Sequence, residues 1–266
     1  MATNKKVTRL NGGTPSTENV SRPAFVPTAE SKGKATQLRI IAGILWFLAI
    51  VAEVGAIALL FKQPLLMVWI IVLIVVDLAF VIIGSMLWKK SNRLDPASEK
   101  DKFKFFMQNQ LGLVAAIIAF LPLIVLILTN KNLDGKQKGI LGGIAAVALI
   151  VAGLASYDFN PPSQEQYAEQ TDRVEWLTGG NNDVYWTKSG KKYHIYDDCS
   201  SINTNKTDSI FEGSVAQARE LKNITDLCKF CENRAIKERG LNEADYTKTT
   251  ENTDDETLPE NNLEIE

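Results

Sequence analysis

The chain has 266 residues, 45% hydrophobic and 23% charged, with a formal net charge of −2. That small net charge is a cancellation, because residues 1–155 hold 17 Lys/Arg against 8 Asp/Glu and residues 156–266 hold 12 against 23. Nearly all the apolar mass lies between residues 38 and 155, which argues against a soluble enzyme built on one large core, and three cysteines are too few for a disulfide scaffold.

Residues 1–37 are rich in Thr, Ser, Asn, Gly and Pro and show no apolar periodicity. They read as a disordered cytoplasmic tail and not as a secretory leader. Four apolar runs follow, at 40–61, 65–88, 111–129 and 139–156. A bilayer core needs about 20 apolar residues in a helix, so these predict four transmembrane spans within 38–156. Pro122 falls in the third run, where a membrane helix tolerates it. The segments between runs are short, which predicts two antiparallel pairs. The N-terminal region and the 89–110 segment carry thirteen Lys/Arg, against four in the two opposite loops. By the positive-inside rule both termini then face the cytoplasm of a multi-pass protein in the cell membrane, with Trp88 as an interfacial anchor.

Two acids interrupt the spans, Glu53 in the first and Asp77 in the second, with no Lys or Arg in any span to pair with them. Counted from Gln63 they lie about 15 Å and about 21 Å deep. An intramembrane carboxylate is a candidate proton or ion site, and the alternative is a protonated carboxyl hydrogen-bonding between helices. In the fourth span Gly139/Gly143 and Gly142/Ala146 have the small-x-x-x-small spacing of close helix packing, within the bundle or at a homodimer face.

After residue 156 the chain turns polar. Residues 157–182 are expected to be a linker with a short helix, opened by a capping box at Ser163–Gln166 and running to Leu177. A compact domain is predicted over 183–240. Residues 184–186 and 192–196 flank Ser189-Gly190 as a β-hairpin. Ser214 and Gln217 form a second capping box before a helix to about Leu221, and a last helix over 232–239 is stopped by Gly240. Residues 241–266, with nine acidic residues and one Lys, read as a disordered tail.

Every cysteine and the only histidine fall in this domain. His194 and Cys199 form H-x4-C, and Cys228 and Cys231 form C-x2-C. Two close pairs of soft or borderline ligands suit one tetrahedral Zn(2+) per chain. Four protein ligands leave no position for water, which makes the zinc structural and not catalytic. With its one histidine engaged, the chain has no residue for a histidine-dependent hydrolase.

The stretch 184–232 resembles the Ada-like metal-binding domain, the zinc module of a bacterial alkylation-repair protein. The resemblance rests on the aromatic hairpin VYWTKSGKKYH, a ligand just after it, a short Ala-containing helix and the closing L-C-K-F-C. It covers about 50 residues, and His194 stands where the repair module has cysteine. It implies a zinc site at these four residues, in a module of the kind appended to bacterial membrane and secreted proteins. The repair chemistry, a zinc thiolate accepting a methyl group from DNA phosphate, would fall to Cys199. It is not carried over, because seven basic and seven acidic residues in 184–232 make no positive surface. The expected fold is therefore mostly α, a four-helix transmembrane bundle followed by a small α+β zinc domain. The expected role is non-enzymatic, a cytoplasmic module that binds a protein partner or senses, in a chain whose other partner is the lipid bilayer. The alternative is a small ion or proton transporter using Glu53 and Asp77, with the module regulatory.

Overall fold

The computed structural model describes residues 6–9, 27, 29–222 and 224–246. It divides into two compact units, one of residues 27–164 and one of residues 165–266 together with 1–26.

The first unit is an all-helical bundle of α1 (Ala29–Leu60), α2 (Met67–Leu94), α3 (Lys102–Thr129) and α4 (Gly135–Ser156). All four are long and apolar enough to cross a membrane, with mean hydropathy of 2.2 to 3.1 over their best 18-residue windows. Each expected span lies almost wholly inside one of these helices, and α3 continues through Pro122. The first helix starts at Ala29, so its first turns occupy a stretch read from sequence as disordered. Asp101 caps α3 by accepting from the Lys104 N–H, and Asp134 and Gln137 close a reciprocal capping box on α4.

The packing suits a bundle in lipid. On α1 the buried stripe is Ala35, Ala42, Ala49 and Ala56, one alanine every seven residues, while Ile44, Phe47, Val51 and Val54 are exposed. Small residues inside let the helix axes approach, and the seven-residue period keeps one face on the neighbour. Large apolar residues outside have no stable place in water, and hydrocarbon removes that conflict. The α4 stripe follows the same logic, with Leu141, Ala145, Ala148 and Ala152 inward. Gly142 packs on Ile127 and Leu128 of α3, whereas a Cβ at Gly139 or Gly143 would meet nothing within 4 Å.

Gly84 marks a close α1–α2 approach. A Cβ there would lie 2.7 Å from Trp46 Nε1 and 3.3 Å from the Ala42 carbonyl oxygen. Gly84→Ala is therefore expected to destabilise the bundle by about 1–3 kcal/mol. Gly143→Ala, in open space, should gain up to about 1 kcal/mol of helix propensity. Denaturant unfolding of the full chain in detergent micelles reads both signs, and equal effects would contradict this account of the α1–α2 contact.

Polar side chains close the end of the bundle formed by the start of α1, the α2–α3 connection and the end of α4. Arg39 pairs with Asp95 at 2.7 Å and lies over Trp88. Trp88 donates to the Gln108 carbonyl at 2.7 Å and packs on Trp46, so this anchor is tied into α1 and α3. Lys89 donates to the Ala155 carbonyl at the end of α4, and Gln110 exchanges hydrogen bonds with the Asp158 backbone.

The second unit contains α5 (Gln164–Thr178, from residue 165 on), β2 (Asp183–Thr187), β3 (Lys192–Tyr193), β4 (Ser209–Ser214), α6 (Val215–Lys222), β5 (Asp226–Leu227) and α7 (Lys229–Arg239). Strand β1 (Lys6–Arg9) also belongs to it, parallel to β4 in the order β1-β4-β2. Three findings in this unit depart from the sequence reading. Residues 6–9 form a strand where a disordered tail was expected. The hairpin strands β2 and β3 meet only at the Tyr185–His194 bridge, because β2 takes β4 as its antiparallel partner and β3 takes β5 in parallel. Of the expected disordered C-terminal tail, residues 243–246 are helical, and residues 247–266 lie outside the described residues.

The β2–β4 sheet separates two small cores. Side chains alternate across a strand, so Val184 and Trp186 face one side and Tyr185 the other. The first core joins Val184 and Trp186 to Val174 of α5, Val215 and Ala218 of α6, Tyr193 and Ile224. Trp186 stacks on its cross-strand partner Phe211, with ring centroids 6.4 Å apart. The second core is Cys199, Ile202, Ile210, Cys228 and Cys231, with Tyr185, Ile195 and Tyr196 against it.

Candidate metal centre

Each ligand pair is set by local backbone structure. His194 follows β3, and its N–H donates to the Tyr185 carbonyl at 2.8 Å while its own carbonyl accepts from Tyr185 N–H at 2.7 Å. Cys199 opens a turn, its carbonyl accepting from Ile202 at 3.0 Å and from Asn203 at 2.8 Å. Cys228 is the N-cap of α7, and Cys231 lies in that helix's first turn. The Cys228 N–H donates to the Tyr193 carbonyl at 2.9 Å, which ties this pair to the strand next to His194. The C-x2-C spacing thus places both thiols at a helix N-terminus, where unpaired N–H groups favour negative charge.

The four side chains converge. One ligand atom from each of His194, Cys199, Cys228 and Cys231 lies within 4.8 Å of all the others, and all four residues are buried. The three cysteines are free thiols, not a disulfide. Cys231 Sγ is 3.6 Å from His194 Nδ1. Zn–S near 2.3 Å and Zn–N near 2.05 Å at the tetrahedral angle require an S···N edge of about 3.6 Å. The donor types, their number and this edge fit a tetrahedral ion bound through Nδ1.

The surroundings set the ionisation of the donors. Burial, with the charge of Lys192, pushes the His194 imidazole down to about 4, so near neutral pH it is the uncharged, ligating form. Burial would raise the Cys228 thiol, but the N–H groups of Cys231 and Phe230 and hydrogen bonds from Cys199 and Ser201 outweigh it and lower its pKa. Burial pushes Cys231 up to about 12 despite the N–H groups of Tyr196 and Ile195 beside its sulfur. A divalent cation bound here would supply the positive charge that favours its thiolate form. Backbone N–H groups thus serve two of the three sulfurs, an outer shell that orients the thiolates.

All four residues singled out in the sequence as ligands come together here. The outer shell was not read from sequence, because it consists of backbone groups at Ile195, Tyr196 and Phe230 whose direction only the fold defines. Lys191, Lys192 and Lys229 line a cavity beside His194 and Cys228, next to the exposed Phe230. Arg234 pairs with Asp198 and Glu238 and stacks on Tyr196 at 4.1 Å. Glu53 and Asp77 belong to the other unit, buried in the helical bundle. No family model, no curated protein and no solved structure matches this chain. The described residues thus include four helices able to cross a membrane and a His/Cys3 cluster able to hold a metal ion.

Proposed function

We propose that this chain is a multi-pass membrane protein that carries a structural zinc module on the cytoplasmic side, and that the module has a non-enzymatic binding or sensing role. The observation that carries the reading is the closed ligand set. Three thiolates and one neutral imidazole satisfy zinc completely and leave no open position for a water or substrate. The only histidine is a ligand, so no general base of that type remains. Two parts of the fold around the cluster support the Ada-like resemblance, the aromatic residues of β2 and β3 before the first ligands and a helix beginning at the C-x2-C. The partner we assign to the module is a protein, since the balanced charge of 184–232 offers nucleic acid no positive surface. The cytoplasmic placement rests on the excess of Lys/Arg on the side of the α2–α3 connection.

Metal analysis of the purified full-length chain tests the first half of the reading. One zinc per chain is expected, falling to near zero in His194→Ala and in Cys231→Ser. Full-length protein is needed because β1, at residues 6–9, pairs with β4 of the module. Another metal in place of zinc, or undiminished zinc in both variants, would overturn the assignment. Protease attack on residues 241–266 in inverted vesicles but not in intact cells would establish the cytoplasmic side.

A further inference from the structure

Asp77 is 1% exposed and Glu53 5% exposed, both inside the bundle. Among the described residues neither Asp77 oxygen has a hydrogen-bond partner, and Glu53 Oε1 has none. The α1–α2 register, with Gly55 against Leu73 and Gly84 against Trp46, sets Glu53 and Asp77 at the same level of the two helices, and the Leu123 N–H lies beside Glu53. Their neighbours on the buried faces are apolar, Ala49, Ala52 and Ala56 on α1 and Ile74 and Val81 on α2. Buried carboxylates without a compensating cation cannot both stay charged, and a metal ion would want more oxygens than these surroundings supply. A proton fits this chemistry.

The two ends of the bundle differ. Towards the 61–66 and 130–134 loops the interior is Leu60, Ile70, Leu123, Ile127 and Leu141, and the buried Asn130 there caps the Leu60 carbonyl. Towards the α2–α3 connection the same buried stripe of α2 that holds Asp77 continues with Ser85 and Asn92. Ser85 is hydrogen-bonded to Ser156 of α4 at 2.8 Å, and Asn92 to Asn109 of α3 at 3.3 Å, with Asn92 Oδ1 still unpartnered. Val81 and Gly84 lie between Asp77 and Ser85 on this buried face.

We propose that Glu53 and Asp77 form one proton-binding site within the bundle, reached along the Asn92–Ser85 ladder from the α2–α3 end and sealed from the opposite end. Such a site reports the pH of one compartment and does not pass protons through. It rests on the membrane-spanning half of the function proposed above and is independent of the metal. Between residues 40 and 60 of α1 and 67 and 88 of α2 the two acids themselves are the titrating groups. Neither α3 from 105 to 129 nor α4 from 139 to 156 contains an ionisable side chain. The nearest charges are at the ends, Arg39, Lys89, Arg93, Asp95 and Asp158 on the ladder side, and Lys62, Lys131, Asp134, Lys136 and Lys138 opposite.

Dicyclohexylcarbodiimide provides the test, since among carboxyl groups it labels those that are protonated in an apolar setting. The acid's proton moves to the carbodiimide nitrogen, its oxygen bonds the central carbon, and rearrangement leaves a stable N-acylurea. The full chain is placed in phosphatidylethanolamine/phosphatidylglycerol vesicles, and flotation establishes insertion separately. Orientation is read by protease exposure of residues 241–266, and the pH is set independently on each side. Adduct is expected at Asp77 or Glu53, absent in the Glu53→Gln/Asp77→Asn double variant. Its rate should fall by up to about tenfold per pH unit raised on the α2–α3 side and ignore the pH opposite. Ser85→Val should keep the adduct and blunt its response to pH. No adduct in inserted protein, an adduct indifferent to pH on both sides, one that follows the loop 61–66 side, or Na+ protection at fixed pH would each overturn the proposal. Failure to insert would instead overturn the membrane reading.

Discussion

Replacing Cys231 with serine is expected to unfold the metal module and not merely to empty it. Three of the five buried residues in the second core are the cysteines themselves, with only Ile202 and Ile210 beside them. Without a cation, that core sets three thiols and an imidazole within 4.8 Å of one another and leaves the donors to compete for few hydrogens. Structural zinc contributes apparent free energies of about 10–16 kcal/mol in small modules, comparable to the whole stability of a domain. Losing one thiolate forfeits much of that. Hydrogen exchange of the full chain in detergent, followed by mass spectrometry, separates the module from the bundle. Peptides from 183–239 should lose protection in Cys231→Ser, and in the wild type after chelation, while peptides from 40–60 and 111–129 keep theirs. A variant that is metal-free yet fully protected in 183–239 would show that the apolar cores alone hold the fold.

The second large effect is expected at Arg219. Its side chain is wholly buried, donating to the Tyr167 carbonyl at 2.7 Å, to Gln170 Oε1 at 2.9 Å and to Thr171 Oγ1 at 3.2 Å, with its guanidinium over the Tyr167 ring at 4.2 Å. One side chain thus ties α6 to α5. Arg219→Ala leaves buried acceptors on α5 without their donor and opens a cavity, for an expected loss of about 3 kcal/mol. Arg219→Lys should recover only part of it, because an ammonium cannot span three acceptors from a planar fork. The zinc-loaded protein should keep its metal in both variants and show faster exchange in peptides from 165–178 and 215–222. Equal stability of wild type and Arg219→Ala would mean that the helices are joined by the apolar contacts of Val174, Val215 and Ala218 alone.

Much of the architecture was legible in the chain itself, for reasons of short range. Four apolar runs without a polar face leave helices in hydrocarbon as the economical outcome. Ser214 and Gln217 exchange hydrogen bonds as their capping box requires, the Ser214 N–H donating to Gln217 Oε1 at 2.9 Å and the Gln217 N–H to Ser214 Oγ at 3.2 Å. Gly240 ends α7 in the left-handed conformation, at φ 63°. The ligand set was legible because sulfur and imidazole donors are scarce here and their spacing is that of a tetrahedral site.

Partner choice between distant segments was not legible. Strand β4 carries few apolar residues, Ile210 and Phe211 among Ser, Glu and Gly, so its alternation is too short to mark a strand that pairs with both β1 and β2. Strand β1 is four residues in a polar stretch and gains its structure from β4 alone. The inward position of Arg219 is equally invisible, since a surface helix and a buried one read alike over eight residues. Glu53 and Asp77 were found by their sequence, as acids in apolar runs. That Asp77 lacks a partner, that Ser85 and Asn92 share its stripe, and that the opposite end is apolar depend on how four helices rotate about their axes. Sequence by itself determined the spans, the caps and the metal donors, because each follows from chemistry within a few residues. The tertiary structure alone decided strand pairing, the buried arginine and the one-sided polar ladder, because these are set by which faces distant elements turn to one another.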